Sequence, residues 1–87
     1  MSTNEEKIRQ AIEILNNLLK DIGVARQVKE ACKDAISYLN DKKITSYGIR
    51  AANSISRIEE VTQDPTVPPY IRTTLWKVIS ILEQVKD

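Results

Sequence analysis

The chain has no histidine and no phenylalanine, and only one cysteine, two glycines and three prolines among its 87 residues. Each shortage removes a class of function. Without histidine, the usual general base and the commonest metal ligand are gone. Gly23 and Gly48 stand alone, so no glycine-rich phosphate loop can be assembled. Cys32 has no partner for an internal disulfide, which points to a reducing, cytoplasmic setting. Net charge is scarce as well: 13 basic residues against 12 acidic ones leave +1. No global field therefore draws in nucleic acid or an anionic membrane. No apolar run nears the ~20 residues that a membrane helix needs. The polar, acidic start Met1-Ser2-Thr3-Asn4-Glu5-Glu6 is unlike a signal peptide.

What the chain has is helical periodicity, with no alternating strand pattern anywhere. A first helix is expected over about 4–20, with Ser2–Glu5 or Thr3–Glu6 as its capping box. Its apolar stripe is Ile8, Ala11, Ile12, Leu15, Leu18, Leu19 and Ile22, with Ile14 at the margin. Gly23 is expected to end it in a left-handed cap. A second helix over about 25–39 carries Val28, Ala31, Cys32, Ala35, Ile36 and Leu39. Thr45 or Ser46 then caps a third helix over about 47–63. Its inward face is thin: Ala51, Ala52, Ile55, Ile58 and either Val61 or Thr62. A fourth helix starts at Pro68 or Pro69, where a first turn tolerates proline, and runs to about Val85. Ile71, Thr74, Leu75, Val78, Ile79, Leu82 and Val85 form its stripe. The fold class is all-α, one domain spanning 1–87, in which short connections make successive helices antiparallel. A core this small gains from very regular packing or from oligomerising.

The stretch Asp64-Pro65-Thr66-Val67-Pro68-Pro69-Tyr70-Ile71-Arg72 is the elbow between the last two helices. A weaker copy, Asp21-Ile22-Gly23-Val24-Ala25-Arg26-Gln27-Val28-Lys29, lies 43 residues earlier. At that offset Ile12 meets Ile55, Leu15 meets Ile58, Leu18 meets Val61, Ala35 meets Val78 and Leu39 meets Leu82. The chain thus reads as two repeated helical hairpins, about 4–40 and 45–86, forming either a four-helix bundle or a stacked pair. A two-helix period of this length, with Leu18-Leu19, Asp21, Val28-Lys29 and Ala31 around the turn, resembles HEAT units. A second resemblance rests on Arg50-Ala51-Ala52-Asn53, Asp64-Pro65, Ile71-Arg72-Thr73 and Trp76. These are similar to a family of small uncharacterised archaeal proteins and span nearly the whole chain. The likeness implies a helical bundle and brings no activity with it.

The search for chemistry gives little. Cys32 lies on an apolar stripe, where a buried structural thiol is expected. Glu59, Glu60 and Asp64 read as a solvated acidic face, because di-metal bundles need inward carboxylates and histidines. No catalytic residue, metal site, cofactor or small-molecule ligand is expected. Arg26, Lys29, Lys33, Lys42, Lys43, Arg50, Arg57, Arg72 and Lys77 would have to serve any RNA- or ribosome-binding role. Glu30, Asp34 and Asp41 interrupt them, so nucleic acid is not the favoured partner. The leading expectation is a protein-interaction or structural module, self-associating or bound to another protein. Trp76 falls roughly 140° from Ile71 on a helical wheel, and 43 residues earlier stands Lys33. Trp76, with Tyr70 and Thr73 nearby, is therefore the candidate contact surface. Asp64 is expected to cap the fourth helix or to pair with Arg72, and Asp21 with Lys29 repeats that spacing.

Overall fold

The structure is a computed structural model that describes residues 3–87. It contains helices α1 (Asn4–Lys20), α2 (Arg26–Leu39), α3 (Tyr47–Thr62) and α4 (Pro69–Leu82). Thr3 caps α1, accepting from the Glu6 amide at 3.1 Å and donating to the Glu6 carboxylate at 3.3 Å. The alternative box on Ser2 lies outside the described residues. Ser46 caps α3 by accepting from the Ile49 amide at 3.1 Å. Pro68 and Pro69 open α4, where the first amides lack helical partners and proline's missing donor costs nothing.

Each helix packs against its neighbours in sequence, and α4 returns to α1. No comparable contact runs along either diagonal. A stacked pair of hairpins would instead set α1 on α3 and α2 on α4. The ring is therefore a closed four-helix bundle, and the HEAT-like alternative falls. Closure satisfies both hairpins at once, which two units of an open solenoid cannot do.

The repeat is visible in hydrogen bonds as well as in side chains. Asp21 and Asp64 each accept the amide two residues on, from Gly23 at 2.8 Å and from Thr66 at 2.9 Å. Val24 and Val67 donate their amides to the carbonyls of Asp21 and Asp64 at 3.2 and 3.1 Å. Asp21 and Asp64 donate theirs to Leu18 and Val61. Buried residues match at the same offset: Ile8 with Ala51, Leu15 with Ile58, Val28 with Ile71, Cys32 with Leu75 and Leu39 with Leu82.

Several expectations need correction. Gly23 takes no left-handed cap, since no described glycine has a positive φ. The Asp21 side chain makes that turn instead. Ile22 is 98% exposed, because the helix has already ended and its register no longer points inward. Val24 and Val67, next along each elbow, are buried in its place. Ala52 faces solvent; its repeat mate is the exposed Arg9. Ser54 holds the inward position, fully buried, with its hydroxyl donated to the Ala35 carbonyl at 3.2 Å. Val61 and Thr62 are both buried. The fourth helix stops at Leu82, and Val85 reaches the core from a turn beyond it.

Candidate contact surface

Short elbows put the C-termini of α1 and α3 and the N-termini of α2 and α4 at one end of the bundle. There the two elbows touch. The Tyr70 hydroxyl lies against Gly23, 3.4 Å from where a Cβ would stand. Gln27, from the other hairpin, adds to the Thr66 donors in lowering the Asp64 pKa. Tyr70 and Gln27 are themselves repeat mates, 43 residues apart.

Asp64 does neither task expected of it. The α4 N-cap is Pro68, with no side-chain bond, and Asp64 forms no ion pair with Arg72. Its carboxylate accepts from the Thr66 hydroxyl at 2.7 Å and from the Thr66 amide. Those two donors hold its pKa below the ordinary carboxylate value. Arg72 turns its planar fork onto carbonyls instead: Thr62 at 3.1 Å, Asp64 at 3.0 Å and Val67 at 3.1 Å. It satisfies the end of α3 and fastens the elbow to it. Lys29 stands at the matching place and makes no such set of bonds among the described residues, since an ammonium cannot span three carbonyls in a plane.

Tyr70, Thr73 and Trp76 share the outward side of α4. Tyr70 is 56% exposed and Trp76 50%, and Thr73 is exposed too. Thr73, Thr74 and Ser80 each donate their hydroxyl to the carbonyl four residues back, at 2.9, 2.9 and 3.0 Å. These groups are thereby turned onto the helix's own backbone, and the surface shows methyls and rings. On α2 the matching positions are Gln27, Glu30 and Lys33. One geometry thus carries a charged face on one helix and an aromatic face on the other.

Most arginines are engaged inside the chain. Arg57 bonds Asp34 at 2.9 Å and Glu60 at 3.0 Å, which raises its pKa, the Asp34 bond contributing most. Arg26 pairs with Glu30 at 3.1 Å. Arg50 donates to the Ile44 carbonyl and lies 5.3 Å over the Tyr47 ring. Burial pushes the Cys32 thiol up to about 11, so it carries almost no nucleophilic thiolate near neutral pH. Among the described residues, no cluster of His, Cys, Asp or Glu is placed to hold a metal ion. No described helix is long and apolar enough to cross a membrane.

Fold and surface together define a class: a small all-α bundle of two like hairpins. Comparison with known proteins places it more narrowly. The pattern of the uncharacterised protein family UPF0147 matches residues 1–85, and the chain belongs to that family. A UPF0147 protein of Aeropyrum pernix is 48% identical over 97% of this chain and 91% of its own length. One from Sulfurisphaera tokodaii is 45% identical over 97% and 93%. The crystal structure of a UPF0147 protein from Thermoplasma acidophilum matches with a TM-score of 0.88 at 28% identity, covering 95% of this chain and 96% of that one. That of MMP1188, a protein of unknown function, matches with a TM-score of 0.90 at 25% identity, covering 95% and 93%. These archaeal relatives carry no enzymatic name.

Proposed function

We propose that the protein is a non-enzymatic interaction module that binds another protein surface, its own kind included, through the outward side of α4. The observation that carries this reading is Trp76, half exposed where the equivalent helix keeps Lys33. An indole left in water forgoes a large apolar burial, and tryptophan is enriched at the energetic centres of interfaces. Tyr70 and Thr73 extend the same surface. Engagement of Arg26, Arg50, Arg57 and Arg72 within the chain argues against a phosphate-binding face. The buried thiol suits a reducing cytoplasm.

Trp76→Lys tests the reading. The expected variant keeps wild-type helical circular dichroism and thermal midpoint. It loses self-association in sedimentation and loses a partner that the wild type captures reproducibly. The reading fails if the wild-type indole emits as a fully buried chromophore in a dilute monomer and the substitution unfolds the chain.

A further inference from the structure

We infer that the groove between α1 and α4 is a self-association site, filled by the same groove of a second copy of the chain. The groove adjoins the face of Tyr70, Thr73 and Trp76, none of which lines it, and the inference rests on the reading of α4 as a contact face. The groove is lined by Gln10, Glu13, Ile14, Lys77 and Ile81. Ile14 and Ile81 are half-buried against the core, whereas Glu13 and Lys77 are exposed.

A second groove, between α2 and α3, is lined by Tyr38, Asn53, Ser56, Arg57 and Glu60. The repeat relates the two. Asn53, Ser56 and Arg57 stand 43 residues after Gln10, Glu13 and Ile14, and Ile81 stands 43 after Tyr38. The molecule therefore carries its own control, with one groove position occupied in two ways. In the α2/α3 groove, Arg57 bridges Asp34 on the neighbouring helix and Glu60 on its own. In the α1/α4 groove, Ile14 replaces the arginine and Lys77 replaces the aspartate. The bridge cannot form there. Its apolar floor stays uncovered, and Glu13 and Lys77 make no ion pair among the described residues.

The charges indicate the occupant. Glu13 stands on the α1 wall and Lys77 on the α4 wall. A two-fold axis along the groove lays α1 of each copy over α4 of the other. Glu13 then faces Lys77 of the second copy, twice, and the isoleucines of both copies share one apolar seam. Such an isologous contact closes as a dimer. An axis across the groove would set Glu13 against Glu13 and Lys77 against Lys77, which like-charge repulsion disfavours. The molecule measures 35 × 26 × 22 Å, so a two-helix face is large enough for the roughly 800 Å² per partner of a standard interface.

The test is a charge exchange: Glu13→Lys, Lys77→Glu and the double variant, followed by sedimentation equilibrium at low salt from micromolar to millimolar protein. Circular dichroism checks that all three fold as the wild type does. The expected result is a wild-type dimer whose Kd rises about tenfold or more in each single variant and returns toward wild type in the double. A wild type that stays monomeric throughout overturns the second-copy occupant while leaving α4 to a different partner. A dimer that ignores both exchanges but is lost in Trp76→Lys discards this groove and keeps the contact reading.

Discussion

Gly23 and Thr66 occupy one position in two like turns, and the pair shows what the glycine is for. Both donate their amide to the aspartate two residues earlier, and neither needs a left-handed backbone. Thr66 adds a hydroxyl bond to Asp64 that Gly23 cannot make. A Cβ on Gly23 would meet the Asp21 carboxylate oxygen at 3.2 Å and the Tyr70 hydroxyl at 3.4 Å. The closer atom is the one a threonine hydroxyl would bond, and the other is the end of a flexible side chain. Gly23→Thr is thus expected to raise stability by up to about 1 kcal/mol, mainly by restricting the unfolded chain. Urea unfolding of the variant checks this; a lowered midpoint would mean that the Asp21 carboxylate or Tyr70 cannot give way.

Within elements, the narrow helix α3 depends on small side chains. Ser54 is completely buried against α2, and its hydroxyl goes to the Ala35 carbonyl. Its repeat mate Ala11 is also small and buried. Ser54→Ala removes a donor whose acceptor is already in a helix, so the expected loss is no more than about 1.5 kcal/mol. Ser54→Leu must push α2 and α3 apart or abandon its rotamer, and about 1–3 kcal/mol is expected to be lost. The two substitutions differ in sterics more than in polarity, so their separation in chemical denaturation measures how tightly this pair of helices is packed. Arg72 acts on the same scale: one side chain on α4 satisfies the last carbonyls of α3 and the elbow between them.

For the whole molecule, the chain's last residues hold the two hairpins together at the end opposite the elbows. Asn4 donates to the Lys86 carbonyl at 2.6 Å and accepts from its amide at 3.2 Å. Asp87 accepts from the Ser46 hydroxyl and from the Gly48 amide, at the positive end of α3. The Ser46 bond first, and then the Gly48 bond, lower the Asp87 pKa, as the Thr66 bonds lower that of Asp64. A carboxylate depressed on folding contributes stability above its unfolded value of about 3.9 and loses it as pH falls through the folded value. The thermal midpoint is therefore expected to hold from neutral pH to about 5 and to fall steadily below about 4. Asp87→Asn should flatten part of that fall. An acid limb of equal steepness in the variant would show that the tail carboxylate does not couple to folding.

Much of this protein was legible without coordinates because its cues are local. Three- and four-residue apolar spacing, Thr3, Ser46, Pro68 and Pro69 placed four helices and their starts, and the 43-residue offset marked two hairpins. The exposure of Trp76 followed from the wheel and from Lys33 at the matching position. What the sequence left open depended on which surfaces meet. Bundle and stacked pair share one apolar pattern, and only the return of α4 to α1 separates them. Ile22 and Ala52 fit their stripes by spacing, yet the end of one helix and the rotation of another turned them to solvent. Asp64 and Arg72 have complementary charges, but folding offered each a nearer partner, a threonine for the acid and three carbonyls for the base. The groove of Ile14, Ile81, Glu13 and Lys77 draws on residues from both ends of the chain, so local periodicity could not assemble it. Local periodicity sets which residues turn inward along one helix; which helices share a wall is decided by closing the ring.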